Sequence, residues 1–264
     1  MSAETMSSCE SCPVAAVARL ERLGMKLDRW DHVVALAGNP NTGKSTIFNA
    51  LTGLRQHTGN WPGKTIARAE GGFQLGGKRY KIVDLPGTYS LLSASDDEEV
   101  ARDFILFGRP DVTVVVADAT RLERNLNLVL QVLQITDRVV VCVNLVDEAR
   151  AHGLAVDFRG LARDLGVPVV PAAARRGEGI GALLQAVDDL ANGRTPCRPR
   201  RLAYDVPGLR EAMGELVAAL RGAFPDVPHA EWIAMRLLEG DPRIIEAVLS
   251  REIGTLSEDH AAGA

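Results

Sequence analysis

Residues 32–53 read HVVALAGNPNTGKSTIFNALTG. An apolar run, HVVALAG, leads into the octapeptide Gly38–Ser45, GNPNTGKS, and a helical pattern follows it. The octapeptide fits G-x-x-x-x-G-K-[ST], and a strand before with a helix after is the setting that motif requires. Each residue type has a task. Gly38 and Gly43 let the backbone turn tightly and turn N–H groups toward phosphate oxygens. Asn39, Pro40, Asn41 and Thr42 complete the loop, and a helix opening here adds the positive end of its dipole. Lys44 can reach β- and γ-phosphates, Ser45 can hold Mg²⁺ through its hydroxyl, and Thr46 follows as a further nucleotide contact.

Outward from this loop, short β-rich runs alternate with helical stretches. Strands are expected at 32–38, 67–75, 78–84, 111–118, 138–144 and 167–172, and helices at 44–53, 97–107, 122–135, 157–165 and 179–192. The central runs, DVTVVVAD and RVVVCVN, are continuously Val-rich, as strands covered on both faces are. The pattern predicts an α/β phosphate-loop fold with a mostly parallel sheet. Gly76-Gly77 alone separates 67–75 from 78–84, a hairpin signal that predicts one antiparallel edge. A segment rich in Pro, Gly and Arg, NGRTPCRPRR (192–201), reads as a linker. Beyond it only helical patterns occur, at 207–222, 228–239 and 242–251, with Pro225, Pro228 and Pro242 between or at their starts. The expected organisation is an extension over 1–30 with a helix at 13–28, a nucleotide-binding domain over 31–193, a small all-helical domain over 202–255 and a tail over 256–264.

Three further signals choose the base. DLPG (84–87) directly follows the strand KIV. It places Asp84 to hold Mg²⁺ through water and the Gly87 N–H to sense a γ-phosphate. NLVD (144–147) ends the strand VVVCV. A carboxylate at Asp147 can accept from guanine N1 and N2, which adenine cannot supply, and Asn144 would tie this loop to the phosphate loop. The usual Lys at the second position is Leu145 here, whose aliphatic chain can still pack on a base. In PAAARRGEGI (171–180) a backbone N–H at Ala173 or Ala174 could meet guanine O6. Thr65, in GNWPGKTIAR, lies where a threonine can cap Mg²⁺ while GTP is bound and release it after hydrolysis. GTP and GDP are thus the expected nucleotides.

Hydrolysis needs an oriented water and positive charge on the transition state. Thr88, Tyr89 and Ser90 follow DLPG, so the glutamine common at that point is missing. Arg55 and Arg68 are the arginines nearest the switch segments. A substitute suggests itself: the Asn41 side-chain carbonyl, with backbone carbonyls of the segment Gly59-Asn60-Trp61, could hold K⁺, which would carry the missing charge. The bland alternative leaves Asn41 a loop cap. The expected catalytic set is Asn41, Lys44, Thr65 and Gly87.

The rest of the composition narrows the class. The 264 residues carry a formal net charge of -4, and no basic patch points to nucleic acid. The acidic run Asp96-Asp97-Glu98-Glu99 reads as a helix N-terminus, where acids complement the dipole. Cys9 and Cys12 form a CxxC without two further ligands at metal-site spacing. The N-terminus lacks a signal-peptide pattern, and no run reaches the roughly 18–20 apolar residues of a membrane span. The expectation is a soluble, intracellular chain.

GNPNTGKSTIFNALTG, GNWPGKT, VDLPGTYSL and NLVD together resemble the cytosolic N-terminal region of the bacterial ferrous iron transport protein B family (FeoB). The likeness runs over about residues 30–251, and ATRLERNLNLVLQVL (119–133) and EWIAMRLLEGD (231–241) share it. The resemblance implies a slow, K⁺-stimulated GTPase, with K⁺ held at Asn41, Gly59 and Trp61. It implies a small domain that stabilises the GDP-bound state and a following membrane domain of the same polypeptide that moves Fe²⁺. It places the chain at the cytoplasmic face of the bacterial inner membrane. Small accessory iron-transport proteins and a second copy of the chain are implied partners. The extension with Cys9 and Cys12 departs from the family pattern, as does PAAARR, which lacks a common Ser. Competing classes are a ribosome-assembly or RNA-linked GTPase, disfavoured by acidic Glu231, Glu239, Asp241 and Glu246, and a regulatory switch with negligible turnover.

Overall fold

The computed structural model describes Leu20, Leu23 and residues 30–53, 56–92, 95–201 and 206–254. The expected helix at 13–28, the pair Cys9/Cys12 and Arg55 lie outside or almost wholly outside these residues. The chain divides into two compact units. One spans Leu20–Arg201, and the other holds the described residues from Val206 onward.

The first unit is built on a seven-stranded sheet. In chain order it contains β1 (His32–Gly38), α1 (Lys44–Thr52), β2 (Gln56–Asn60), β3 (Ala67–Leu75), β4 (Lys78–Asp84), α2 (Asp96–Leu106), β5 (Val112–Asp118) and α3 (Leu122–Ile135). Then come β6 (Val139–Asn144), α4 (Val146–Ala151), α5 (Phe158–Leu165), β7 (Val169–Pro171) and α6 (Ile180–Ala191). The strand order is β2-β3-β4-β1-β5-β6-β7. β1 pairs in parallel with β4 and β5, and the parallel pairing continues through β6 to β7. β3 runs against both β4 and β2, which makes the expected antiparallel edge. Its hairpin turns on Gly76 and Gly77, at φ 58° and 80°, the left-handed pair that matches strand twist.

The Val-rich strands are buried on both faces. Val34 and Leu36 of β1, Val114 and Val116 of β5 and Cys142 of β6 pack with Ile47, Phe48 and Leu51 of α1 and Leu183 and Val187 of α6. The intervening Val33, Ala35, Val115, Val141 and Val143 are equally buried and belong to the opposite face. That face is covered in part by α3, whose Leu128, Val129, Val132 and Leu133 are buried.

Two elements were not foreseen. β2 has the polar sequence QHTGN and forms because β3 offers it a ladder partner, His57 opposite Glu70 and Gly59 opposite Arg68. α4 is a six-residue helix opening immediately after Leu145. The segment 192–201, read as a linker, instead lies along the first unit. Arg198 and Arg200 donate backbone N–H groups to the carbonyls of Gly166 and Leu165 at 3.0 and 3.1 Å. Arg201 pairs with Asp137. The first compact unit runs to Arg201.

The second unit contains α7 (Leu209–Ala223), α8 (Ala230–Leu238) and α9 (Pro242–Leu249). Asp241 caps α9 by accepting from the N–H groups of Arg243 and Ile244, with Pro242 in the first turn, where its missing N–H costs nothing. Ile233, Ala234, Ile244 and Ala247 are fully buried within this unit. Among the described residues no helix is long and apolar enough to cross a membrane.

Candidate functional site

Sheet register sets the site. Leu36 is level with Asp84, Gly38 with Val116, Asp118 with Asn144 and Val143 with Pro171. The phosphate loop, DLPG, NLVD and the loop after β7 therefore leave the same carboxyl-end edge of the sheet. β1 lies where the chain first builds to one side through β4 and then to the other through β5, the crevice in which open α/β sheets bind ligands.

The phosphate loop is held tightly. Gly43 adopts φ 81° and Asn41 φ 66°, so both turn through left-handed backbone. The Thr42 hydroxyl donates to the Asn39 carbonyl at 2.9 Å. At Gly38 a Cβ would sit 2.7 Å from the Val116 carbonyl oxygen, which only glycine avoids. α1 opens at Gly43 without a side-chain cap, so its first N–H groups and dipole face the crevice. Asn39 is buried at 3% exposure, and neither polar atom of its side chain has a protein partner.

Lys44 forms an ion pair with Asp84. Burial pushes the Asp84 carboxyl above its ordinary range, and the Lys44 ammonium pulls it partly back. The pair brings an oxygen donor and a point charge together beside an uncapped helix start, with Ser45 one residue on. That donor set suits a hard cation such as Mg²⁺ together with phosphate. Gly87 follows closely, since a Cβ there would lie 3.5 Å from Pro40 Cα. The Thr88 N–H donates to the Gly38 carbonyl at 3.3 Å. Thr88 is buried, and its hydroxyl donates to the Ser90 carbonyl at 2.6 Å, so it braces the turn.

At the other end of the crevice, Asn144 Nδ2 donates to the Thr42 carbonyl at 3.0 Å, and its Oδ1 accepts from the Ala174 N–H at 3.1 Å. The Ala173 N–H donates to Glu178 at 3.1 Å. Both N–H groups expected to reach a base are thus engaged within the protein. Leu145 holds left-handed backbone at φ 62° and opens α4, which carries Asp147. One cavity of about 220 Å³ is lined by Asn41, Gly43 and Thr46 from the phosphate end and by Asn144, Leu145, Asp147 and Ala174 from the other.

Of the residues expected around K⁺, Asn41 lies in the phosphate loop, Gly59 near the end of β2 and Trp61 just after it. Gly59 pairs with Arg68 in the β2–β3 ladder, and the Trp61 carbonyl accepts the Lys64 N–H at 3.1 Å. β2 lies three strands from β1, about 14 Å sideways at normal strand spacing. Trp61 is buried, edge-on to Phe104 of α2 at 5.4 Å. Thr65 sits exposed in the same loop. Lys64 pairs with Asp96 at 2.6 Å and Glu99 at 3.5 Å, so the acidic helix start also anchors this loop. Arg68 is committed elsewhere, to Glu70 at 2.8 Å, the Leu23 carbonyl at 3.0 Å and the Trp61 ring. Among the described residues no group of three or more His, Cys, Asp or Glu could hold a metal ion.

Sheet order, uncapped phosphate loop, Lys44–Asp84 pair and Asn144 bridge define a phosphate-loop domain of the GTPase fold. Residues 32–187 match the sequence profile described as Ferrous iron transport protein B, and the chain belongs to that family. It is 42% identical over 213 residues to the Fe(2+) transporter FeoB of Salmonella choleraesuis (strain SC-B67), an alignment covering 79% of this chain and 27% of that protein. The chain therefore spans about a quarter of the length of such relatives. The apo cytosolic domain of the T. maritima FeoB iron transporter superposes with a TM-score of 0.76 at 34% identity, covering 88% of this chain and 90% of that one. Its GMPPNP form gives 0.74 at 34% identity, covering 88% and 90%.

Proposed function

We propose that this chain binds GTP and GDP in the crevice and slowly hydrolyses GTP, with Mg²⁺ and K⁺ as helpers. We further propose that its nucleotide state regulates or drives Fe²⁺ passage through a membrane domain of the same polypeptide at the bacterial inner membrane. Supporting this, the T. maritima FeoB cytosolic domain has solved GDP and GMPPNP forms. The observation that carries the reading is the single cavity running from the phosphate loop to Asp147. Phosphates at one end and guanine N1 and N2 at the other span its lining.

In this reading the free N–H groups of the loop and α1 cradle phosphate, and Lys44 supplies a point charge at the β- and γ-phosphates. Ser45, Asp84 and Thr65 would hold Mg²⁺, which neutralises phosphate charge when bound. Asn41, Gly59 and Trp61 would hold K⁺. Guanine O6 would compete with Asn144 for the Ala174 N–H. With Thr88 bracing the turn rather than a glutamine orienting water, turnover is slow.

Fluorescent GDP displaced by GTP, GDP and ATP tests binding. GTP and GDP should displace it at micromolar concentrations and ATP should not; equal displacement by ATP would sink the guanine reading. Hydrolysis should run faster in KCl than in NaCl at equal ionic strength, and Asn41→Ala should abolish the difference.

A further inference from the structure

Asp147 is met by an arginine from outside the cavity. Arg176 Nε lies 3.0 Å from Asp147 Oδ2. The cavity lining includes Asp147 and Arg175 but not Arg176. The Asp147 side chain is 19% exposed and the Arg176 side chain 65%. Arg176 is thus the exposed partner of a pair whose carboxylate belongs to a residue that lines the cavity.

The backbone that delivers Arg176 is fixed. The 3₁₀ turn Ala174–Arg176 closes with the Arg176 N–H on the Ala173 carbonyl at 2.9 Å and the Gly177 N–H on Ala174 at 3.1 Å. Ala173 and Glu178 form a β-bridge across the turn's base. Gly179, at φ 80°, presses so close that a Cβ would stand 2.2 Å from the Pro171 carbonyl oxygen. A second ion pair joins the same two elements, Arg150 of α4 to Glu178 at 3.6 Å. Asp147 and Arg150 are one turn apart on α4 and meet Arg176 and Glu178 with opposite signs.

Exposed pairs of this kind add little to stability. Their effect here is geometric. A carboxylate has two oxygens with about four lone-pair sites. The Arg176 charge lies against Oδ2 and restrains the swing of the carboxylate. Guanine presents two parallel donors, N1–H and the 2-amino group, which a restrained carboxylate meets with less loss of freedom.

We propose that Arg176 is a positioning residue for guanine selection, its charge restraining the Asp147 carboxylate that reads the base; this rests on the reading of Asp147 as the guanine acceptor. The test measures binding of GDP, inosine diphosphate and ADP to the intact chain and to Arg176→Ala, Arg176→Lys and Asp147→Ala. Inosine keeps N1–H but lacks the 2-amino group. Arg176→Ala should weaken GDP about fivefold, the upper range for a half-exposed ion pair, and narrow the preference for GDP over inosine diphosphate. Arg176→Lys, which keeps the positive charge, should recover most of both. In the Asp147→Ala background, Arg176→Ala should change nothing. Tighter GDP binding by Arg176→Ala would show the arginine competing with the base, and unchanged selectivity would show it idle; either overturns the proposal. A wild-type chain that does not prefer GDP to ADP overturns the reading of Asp147 itself, and the proposal with it.

Discussion

The side-chain amide of Asn144 donates to the backbone carbonyl of Thr42 at 3.0 Å, tying the end of β6 to the phosphate loop 102 residues earlier in the chain. The same side chain accepts from Ala174 at 3.1 Å and is 1% exposed. Asn144→Ala leaves a buried carbonyl and a buried N–H without partners, each worth about 1–3 kcal/mol. Urea unfolding should show a loss of about 2–4 kcal/mol on that basis. Nucleotide affinity should fall as well, because both loops that flank the cavity lose their common strut. A loss under about 0.5 kcal/mol, the range of an ordinary surface substitution, would show the bridge to be incidental.

Gly43 and Asn144 are coupled by contact. A Cβ at Gly43 would sit 2.3 Å from Asn144 Nδ2. Gly43→Ala must therefore displace the amide, and it also forces an L-residue into φ 81°. Once Asn144 is alanine the clash is gone and only the backbone strain, about 1 kcal/mol, remains. In a double-mutant cycle the Gly43→Ala penalty should shrink in the Asn144→Ala background. Strict additivity would mean that the amide does not obstruct this position.

The β2–β3 loop is docked on weak terms. Trp61 gains burial against Phe104, but its Nε1 is buried without a partner, which costs about 1–3 kcal/mol. Lys64 holds Asp96, whose side chain is 70% exposed, so that pair adds little. A loop so balanced can leave for a competing partner. In a Trp30→Phe/Trp232→Phe background, Trp61 emission should be blue in the free chain and shift red when GMPPNP binds. Lys64→Ala should shift it partly without nucleotide. Emission unmoved by saturating GMPPNP would mean the loop stays docked.

Much of this was legible in the chain itself, for local reasons. β3, β4 and α3 begin and end where hairpin glycines and apolar periodicity put them. The phosphate loop, Asp84, Asn144 and Asp147 are signalled by residue types that few other tasks require at that spacing. β2 was not legible because QHTGN has no apolar alternation; only its pairing with β3 makes it a strand. α4 is too short to show a period. Nothing local in the sequence signalled the Arg176–Asp147 pair, whose members lie 29 positions apart. The loop that carries Trp61 and Thr65 sits where Phe104 and Asp96 hold it, and those tertiary contacts leave no local trace.

Tyr80 offers a pH test of how α6 is fastened to the sheet. Its hydroxyl donates to Asp188 and accepts from Asn192 Nδ2 at 3.1 Å, and its ring is fully buried beside Phe73. Burial first, then the Asp188 bond, push the phenol from 10.0 up to about 12. The folded chain thus keeps a proton that the unfolded chain gives up between pH 10 and about 12. The stabilising contribution is whole below pH 10 and declines as pH rises through that window. Tyr80→Phe should cost about 1–3 kcal/mol at pH 8, because Asp188 loses a buried donor. Cys142, also held near 12, is the same in both chains and cancels in the comparison. The mutant's deficit in denaturant unfolding should therefore narrow between pH 8 and pH 11. A deficit that stays constant would mean that the phenol titrates alike folded and unfolded, and that Asp188 does not hold its proton.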